Sequence, residues 1–320
     1  MPRFAIATGA LAGLAWVVSF GTEQLGERFG PAATGMLQST LGNLPELFVV
    51  VFALKKGELV VAQTAIVGSI LANALLVLGL VIVVGAWRSE DGVMRFAKGL
   101  PRDTATLLLV AVFIIVLLGL SLGAHDRASH HVEAISVVGA IGLLVVYLTW
   151  IGPYLKGDSA PSEAGRAPRL SLPVVLTLLL TAGAAAAFVS DWFVAALSPA
   201  IDTLGISRAF AGLVIVAIAG NAVENTAGLV LAAKGQFDLA ISVVKNSVAQ
   251  IAAFLFPVLV LVSLALPTAL TFALAPVYIG ALALTALALA QITGDGRAAA
   301  FEGWALVATY VVLATFTLYE

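Results

Sequence analysis

The sequence predicts an all-α integral membrane protein of about ten transmembrane helices arranged as two inverted five-helix repeats, and three observations carry that expectation. Of its 320 residues 61% are apolar and only 11% are charged, with a mean hydropathy of +1.08. A soluble chain of that composition would have to bury nearly every helix all round, whereas helices in lipid need no polar face. Ten apolar runs are each long enough to cross about 30 Å of hydrocarbon. Finally, Gly42, Asn43 and Glu46 form a Gly-Asn-x-x-Glu motif that returns 178 residues later as Gly220, Asn221 and Glu224.

The first run, 4 to 20, follows Arg3 and resembles a signal-peptide core. It lacks a small-residue cleavage pattern before Gly21 and further spans follow, so a retained helix is expected. The second, 31 to 55, holds the first motif, where Gly42 and Pro45 favour a kink that frees carbonyl oxygens. A polar break, Lys55-Lys56-Gly57-Glu58, separates it from 59 to 87, which contains Ser69 and Asn73. Runs 104 to 122 and 132 to 155 flank His125, Asp126, His130, His131 and Glu133, expected as a solvated loop, as is the charged stretch from Arg88 to Asp103. Lys156 to Arg169, rich in Gly, Pro, Ser and charge, is expected as a flexible cytoplasmic connector. It divides an N-terminal repeat, 1–155, from a C-terminal repeat, 170–320.

The second half holds runs at 170 to 189, 206 to 233, 237 to 264, 268 to 291 and 303 to 319. The run 206 to 233 has Val223 where the first motif has Pro45, so an equal backbone shape is not implied. Aligned at an offset of 178, residues 42–79 and 220–257 share Gly42, Asn43, Glu46, Lys56, Gly57, Ala62, Ser69 and Ala74. Five helices per half means that the second half enters from the opposite side, which is the inverted-repeat plan of secondary transporters. Lys and Arg number five on the side of both termini (Arg3, Lys55, Lys56, Arg127, Arg208) and ten on the other. The termini are therefore expected outside and the connector inside.

Well inside the apolar spans, away from their ends, only Glu46, Glu224 and Lys245 carry formal charge. Each glutamate lies nine residues before the end of its run, roughly 13 Å from the membrane face, and an ionisable group at that depth marks function by default. Asn43 and Asn221 stand three residues before their glutamates and share a helix face with them. The helix after each motif adds Ser69 with Asn73, and Ser247 with Gln250. Two carboxylates among neutral oxygens suit a hard cation with six to eight oxygen ligands, and two negative charges match one Ca²⁺. Desolvation favours the protonated carboxyl and a bound divalent ion the charged one, so cation and protons compete for the same oxygens. The blander alternative is that the glutamates pair with neighbouring helices or with Lys245 to hold the bundle.

Lys245 points about 200° from Ser247 around an ideal helix. It either pairs with a helix-end group or snorkels, or serves as a tethered cation that pairs with Glu46 or Glu224 when no ion is bound. With Cys at zero and no His in the spans, soft metals are poorly served and disulfides are excluded. No nucleic-acid footprint is visible. An intramembrane hydrolase would need a buried Ser/His pair, an aspartate dyad or a His-rich metal motif, none of which occurs within the spans. A passive channel would not require central carboxylates duplicated on inverted halves.

Gly42-Asn-Leu-Pro-Glu-Leu47, Phe52-Ala-Leu-Lys-Lys-Gly57, Gly68-Ser-Ile-Leu-Ala-Asn-Ala-Leu-Leu-Val-Leu-Gly79, Gly220-Asn-Ala-Val-Glu-Asn225, Ala232-Ala-Lys234 and Ser247-Val-Ala-Gln-Ile251 resemble the calcium/cation exchanger superfamily, within it the Ca²⁺/H⁺ antiporter branch. The resemblance implies alternating access, with Ca²⁺ as transported substrate rather than cofactor. Glu46 and Glu224 would bind Ca²⁺ or protons in turn, helped by Asn43, Asn221, Ser69, Ser247 and Gln250. Exchange of Na⁺ or another cation for H⁺ or Ca²⁺ is the alternative. The family's second repeat typically reads Gly-Ser-Ser before its Gln, where this chain has Lys245-Asn246-Ser247-Val248-Ala249. Members usually carry a further helix before the core, so this chain is expected to start almost at the core. A multi-pass protein of the prokaryotic inner membrane is implied, of open oligomeric state.

Overall fold

A computed structural model describes residues 2–29, 43–97, 99–157 and 169–320, without the side chains of 15, 19, 22, 23, 25–29, 99–102, 153–157 and 222–225. The helices are α1 (Pro2–Phe29), α2 (Leu44–Lys55), α3 (Leu59–Arg88), α4 (Gly99–Ala124), α5 (Val132–Gly157), α6 (Leu172–Leu204), α7 (Arg208–Gly220), α8 (Ala222–Ala233), α9 (Phe237–Ser263), α10 (Pro276–Thr293) and α11 (Ala300–Leu318). Two short strands, β1 (Val93–Arg95) and β2 (Arg297–Ala299), pair antiparallel with Arg95 opposite Arg297. Seven of the helices are long and apolar enough to cross a membrane by length and composition.

Burial divides inner helices from outer ones. In their most apolar windows α3 is 89% and α9 78% buried, while α4, α5, α6, α10 and α11 are 17–39% buried. Those outer helices expose Phe113, Leu120, Val138, Leu180, Phe188, Leu284 and Val312. A chain whose exterior is this apolar is solvated by lipid, and only its innermost helices are enclosed by protein on every side.

The repeat is written into the backbone. Helix α2 (44–55) and helix α8 (222–233) superpose in sequence at the same offset of 178, as do the starts of α3 at Leu59 and α9 at Phe237. Each inner helix then contains a π-helical segment, Ala72–Val77 in α3 and Ile251–Leu255 in α9, which resumes as α-helix at Leu78 and Phe256, again 178 apart. The turns agree as well, with Gly57 at φ 76° and Gly235 at φ 78°. Only glycine takes that left-handed conformation at no steric cost. Gly57→Ala is accordingly expected to destabilise the protein by about 1 kcal/mol, read as a lowered thermal midpoint in detergent.

Hydrogen bonds sort the loops onto two faces. On one, Arg208 pairs with Glu58 at 3.5 Å, Ser198 donates to Glu58 at 2.8 Å, and Lys56 pairs with Asp191 at 2.8 Å. On the other, β1 pairs with β2, and the amide of Ala97 donates to Asp238 at 2.7 Å. There Arg95 grips Asp91 and holds its carboxyl down at about 2, well below the usual carboxylate range. Lys56 and Arg208, expected on one face, thus share it, and Arg95 and Arg297, expected opposite, lie together across the ribbon.

The run 31 to 55 is helical from Leu44 to Lys55, and residues 30–42 lie outside those described. Three expected spans are corrected. The run 170 to 189 does not stop before Asp191; α6 continues to Leu204, because Lys56 satisfies that carboxylate and the helix ends only at Gly205, φ 63°. The run 206 to 233 is two helices, broken at Asn221. The run 268 to 291 begins as helix only at Pro276, whose ring forces Ala275 to an extended ψ of 146°. Residues between α9 and α10 nevertheless bury Leu270 and Phe272. Their backbone is satisfied by side chains, through Ser263 Oγ with the Leu270 amide (2.8 Å), Ser136 Oγ with the Phe272 amide (3.1 Å) and Gln63 Nε2 donating to the Ala273 carbonyl (3.0 Å).

The connector expected at 156–169 falls largely on residues 158–168, outside those described. The loop holding His125, His130 and His131 is exposed, folded into a short 3-10 turn capped by Asp126. The Ser121 hydroxyl holds the Asp126 carboxyl below its ordinary range. The stretch from Arg88 to Asp103, expected as surface, is exposed in large part but contributes β1 to the ribbon between the halves.

Candidate cation site

The two motifs start helices. Asn43 precedes α2 with φ −82° and ψ 1°, and Asn221 precedes α8 with φ −106° and ψ 13°. The helix start is therefore shared although Pro45 has Val223 as its counterpart, so the proline is not what sets it. At Asn221 the reason is visible. Its amide nitrogen donates back to the Ala217 carbonyl at 2.9 Å, capping the last turn of α7. Carbonyls of that turn then face the break, where their partial negative charge favours a cation. Interrupted helices at mid-membrane are the usual construction of ion sites in inverted-repeat transporters.

The inner helix α3 meets the second motif from the opposite half and also meets the other inner helix. Asn221 Nδ2 donates to Ser69 Oγ at 2.9 Å, linking α8 to α3, and Asn73 Nδ2 donates to Ser247 Oγ at 3.1 Å, linking α3 to α9. Glu46 approaches the break too. A Cβ built on Gly220 would stand 3.8 Å from the Cβ of Glu46. Ser190 of α6 reaches the Pro45 carbonyl at 3.4 Å.

Asn43, Glu46, Ser69, Asn73, Asn221, Ser247 and Gln250 are all buried, none more than 4% exposed. Asn43 Oδ1, Asn73 Oδ1, Asn221 Oδ1 and Gln250 Oε1 accept no hydrogen bond among the described residues. An unpartnered buried acceptor costs about 1–3 kcal/mol, and four amide oxygens from four helices in one region add up to a strong demand for a positive partner. For Asn73 and Asn221 the nitrogen ends are committed to serines, which leaves the oxygens as the free ends. Neutral oxygens beside a carboxylate form a ligand set for hard cations.

Of the expected set the structure brings Ser69 to Asn221, Ser247 to Asn73 and Glu46 beside Gly220, and buries Asn43 and Gln250. Glu224 holds the position in α8 equivalent to that of Glu46 in α2, and its side chain lies outside the described residues. Lys245 is 1% exposed and donates to Thr293 Oγ1 at 2.5 Å, at the C-terminal turn of α10. Two contributors were not singled out from sequence. Ser190 lies beside a charge that looked like the end of its span, and Thr293 is a plain threonine in an apolar helix. The i, i+4 spacing of Ser69 and Asn73 did mark Asn73, as a neighbour rather than as a member.

Relatives share this plan. The chain is 30% identical to the Ca²⁺/H⁺ antiporter ChaA of Bacillus subtilis over 97% of this chain and 90% of that protein. It is 33% identical to the vacuolar calcium ion transporter of Schizosaccharomyces pombe over 96% of this chain and 77% of that one. The solved structure of native YfkE matches with a TM-score of 0.81 at 29% identity, covering 99% of this chain and 92% of that chain. Residues 3–152 and 174–319 match the sodium/calcium exchanger protein family, and the chain, a multi-pass membrane transporter of two inverted repeats, belongs to that family.

Proposed function

We propose that this chain is a secondary active transporter that exchanges Ca²⁺ for H⁺ by alternating access, with Ca²⁺ held between Glu46 and Glu224. The observation that carries the reading is four buried amide oxygens, on the motif and inner helices of both halves, that accept no hydrogen bond among the described residues. A bound Ca²⁺ satisfies Asn43, Asn73, Asn221 and Gln250 together, and Ser69 and Ser247 hold two of those amides in place while offering their own oxygens. When the ion leaves, protons take the carboxylates, since a buried carboxylate without its cation is costly. Loading by one excludes the other, and exchange needs no separate proton site.

Residues 1–155 and 170–320 act as the two repeats, joined by a cytoplasmic connector at 156–169. The face with ten Lys and Arg is the inner one, so both termini lie outside the prokaryotic plasma membrane. The lipid bilayer is the solvent for the outer helices.

The deciding experiment is proton-gradient-driven uptake by the purified protein in liposomes, with Ca²⁺, Mn²⁺ and Na⁺ supplied separately. Gradient-dependent Ca²⁺ uptake is expected, and flux indifferent to the gradient would instead identify a channel. In the same assay Asn221→Ala, which removes one amide oxygen and frees Ser69, is expected to raise the KM for Ca²⁺ about tenfold, or about 1.4 kcal/mol.

A further inference from the structure

Lys245 is not part of the ion's ligand set, yet it stands two residues before Ser247 and five before Gln250 on the same inner helix. Its side chain is buried on a different face of α9. There its ammonium donates to Thr293 Oγ1 at 2.5 Å, and the Thr293 hydroxyl passes the bond on to the Leu289 carbonyl at 2.6 Å. The backbone carbonyl of Lys245 accepts from Thr104 Oγ1 of α4 at 3.4 Å. Residue 245 therefore ties α9 to α10 and α4. The opposite side of the same turn meets α3 through Asn73 and Ser247.

We infer that Lys245 is a positioning residue for cation binding: its bond to Thr293 fixes the rotation of α9 about its own axis, and so the direction in which Ser247 and Gln250 present their oxygens. Packing alone sets this angle weakly, because the π-helical segment beginning at Ile251 interrupts the regular ladder immediately after Gln250. A directional bond does what an apolar side chain of similar length cannot. Burying an ammonium is costly, and a position that needed only volume would be served better by Met or Leu.

The inference rests on the reading of Ser247 and Gln250 as ion ligands, and its test has arms that separate the two. Lys245→Met and Thr293→Val each remove the bond, and Lys245→Arg and Thr293→Ser each preserve a donor and acceptor. In Ca²⁺ uptake by liposomes the first pair is expected to raise KM about tenfold, the usual size of an effect exerted through a ligand's support, with Vmax within about twofold. The second pair is expected to stay near wild type. A KM unchanged or lowered in both bond-removing variants overturns the inference, and a lowered KM would mark Lys245 as a repelling charge instead. Should Lys245→Met fail to fold, Thr293→Val decides. If wild-type protein takes up no Ca²⁺, the exchanger reading fails on its own. The anchor is then judged by hydrogen exchange of α9 amides in detergent, which both bond-removing variants must speed about tenfold; unchanged exchange refutes it.

Discussion

Glu46→Gln is expected to abolish proton-driven Ca²⁺ uptake, with transport falling by more than about 100-fold, or about 2.7 kcal/mol, in protein that still folds. Glutamine keeps the shape and one acceptor oxygen of the side chain. It loses the negative charge that pairs with a divalent ion and the site that takes a proton in exchange, so both halves of the cycle fail together. The buried position of Glu46, 2% exposed against the break at Gly220, leaves water no route to substitute for the missing charge. Glu224→Gln is expected to behave alike, because α2 and α8 start at equivalent positions with similar backbone angles at Asn43 and Asn221. Fluorescence size-exclusion profiles like wild type, together with absent uptake, are the expected pair of results; wild-type-like uptake by either variant would refute the two-carboxylate site.

Gly68→Ala is expected to have the largest effect on folding, at about 3 kcal/mol or more, the upper end of the cost of overpacking. A Cβ at Gly68 would stand 2.5 Å from the Cα of Leu213, and one at Gly212 would stand 2.9 Å from the Val61 carbonyl oxygen. These neighbours are backbone and cannot rotate away. Helices α3 and α7 cross in contact because both are glycine there, the small-residue packing by which membrane helices approach closely. Prying them apart also separates Ser69, next to Gly68, from Asn221, eight residues beyond Leu213 and bonded to Ser69 at 2.9 Å. Gly142→Ala is the control: nothing lies within 4 Å of its Cβ, and replacing an exposed helical glycine is expected to be neutral or stabilising by about 0.5–1 kcal/mol. Thermal unfolding in detergent distinguishes the two, with a large drop for Gly68→Ala alone.

Much of the architecture was legible because its signals are one-dimensional. Apolar runs of membrane length mark spans wherever charges bound them, and Lys55 and Ala233 end their helices where the sequence places the breaks. The motif repeat and the Lys-Gly turns keep one offset through helices, turns and π-helical segments. What misled was any charge or proline whose partner lies far away in sequence. Asp191 resembles a span end until Lys56 is found beside it, and Leu270 to Ala275 resembles helix until Ser136, Ser263 and Gln63 are seen to satisfy its backbone.

Composition, hydropathy and the repeated Gly-Asn-x-x-Glu by themselves determine a multi-pass membrane protein of inverted halves with Glu46 and Glu224 at equivalent positions of their helices, since position along a helix follows from residue count. Tertiary structure alone decides which side chains meet: Asn221 with Ser69, Asn73 with Ser247, Lys245 with Thr293. The physical reason is angular. Contacts between helices depend on rotation about each axis, and the break at Asn221 and the π-helical segments at Asn73 and after Gln250 reset that rotation by amounts that no residue spacing records.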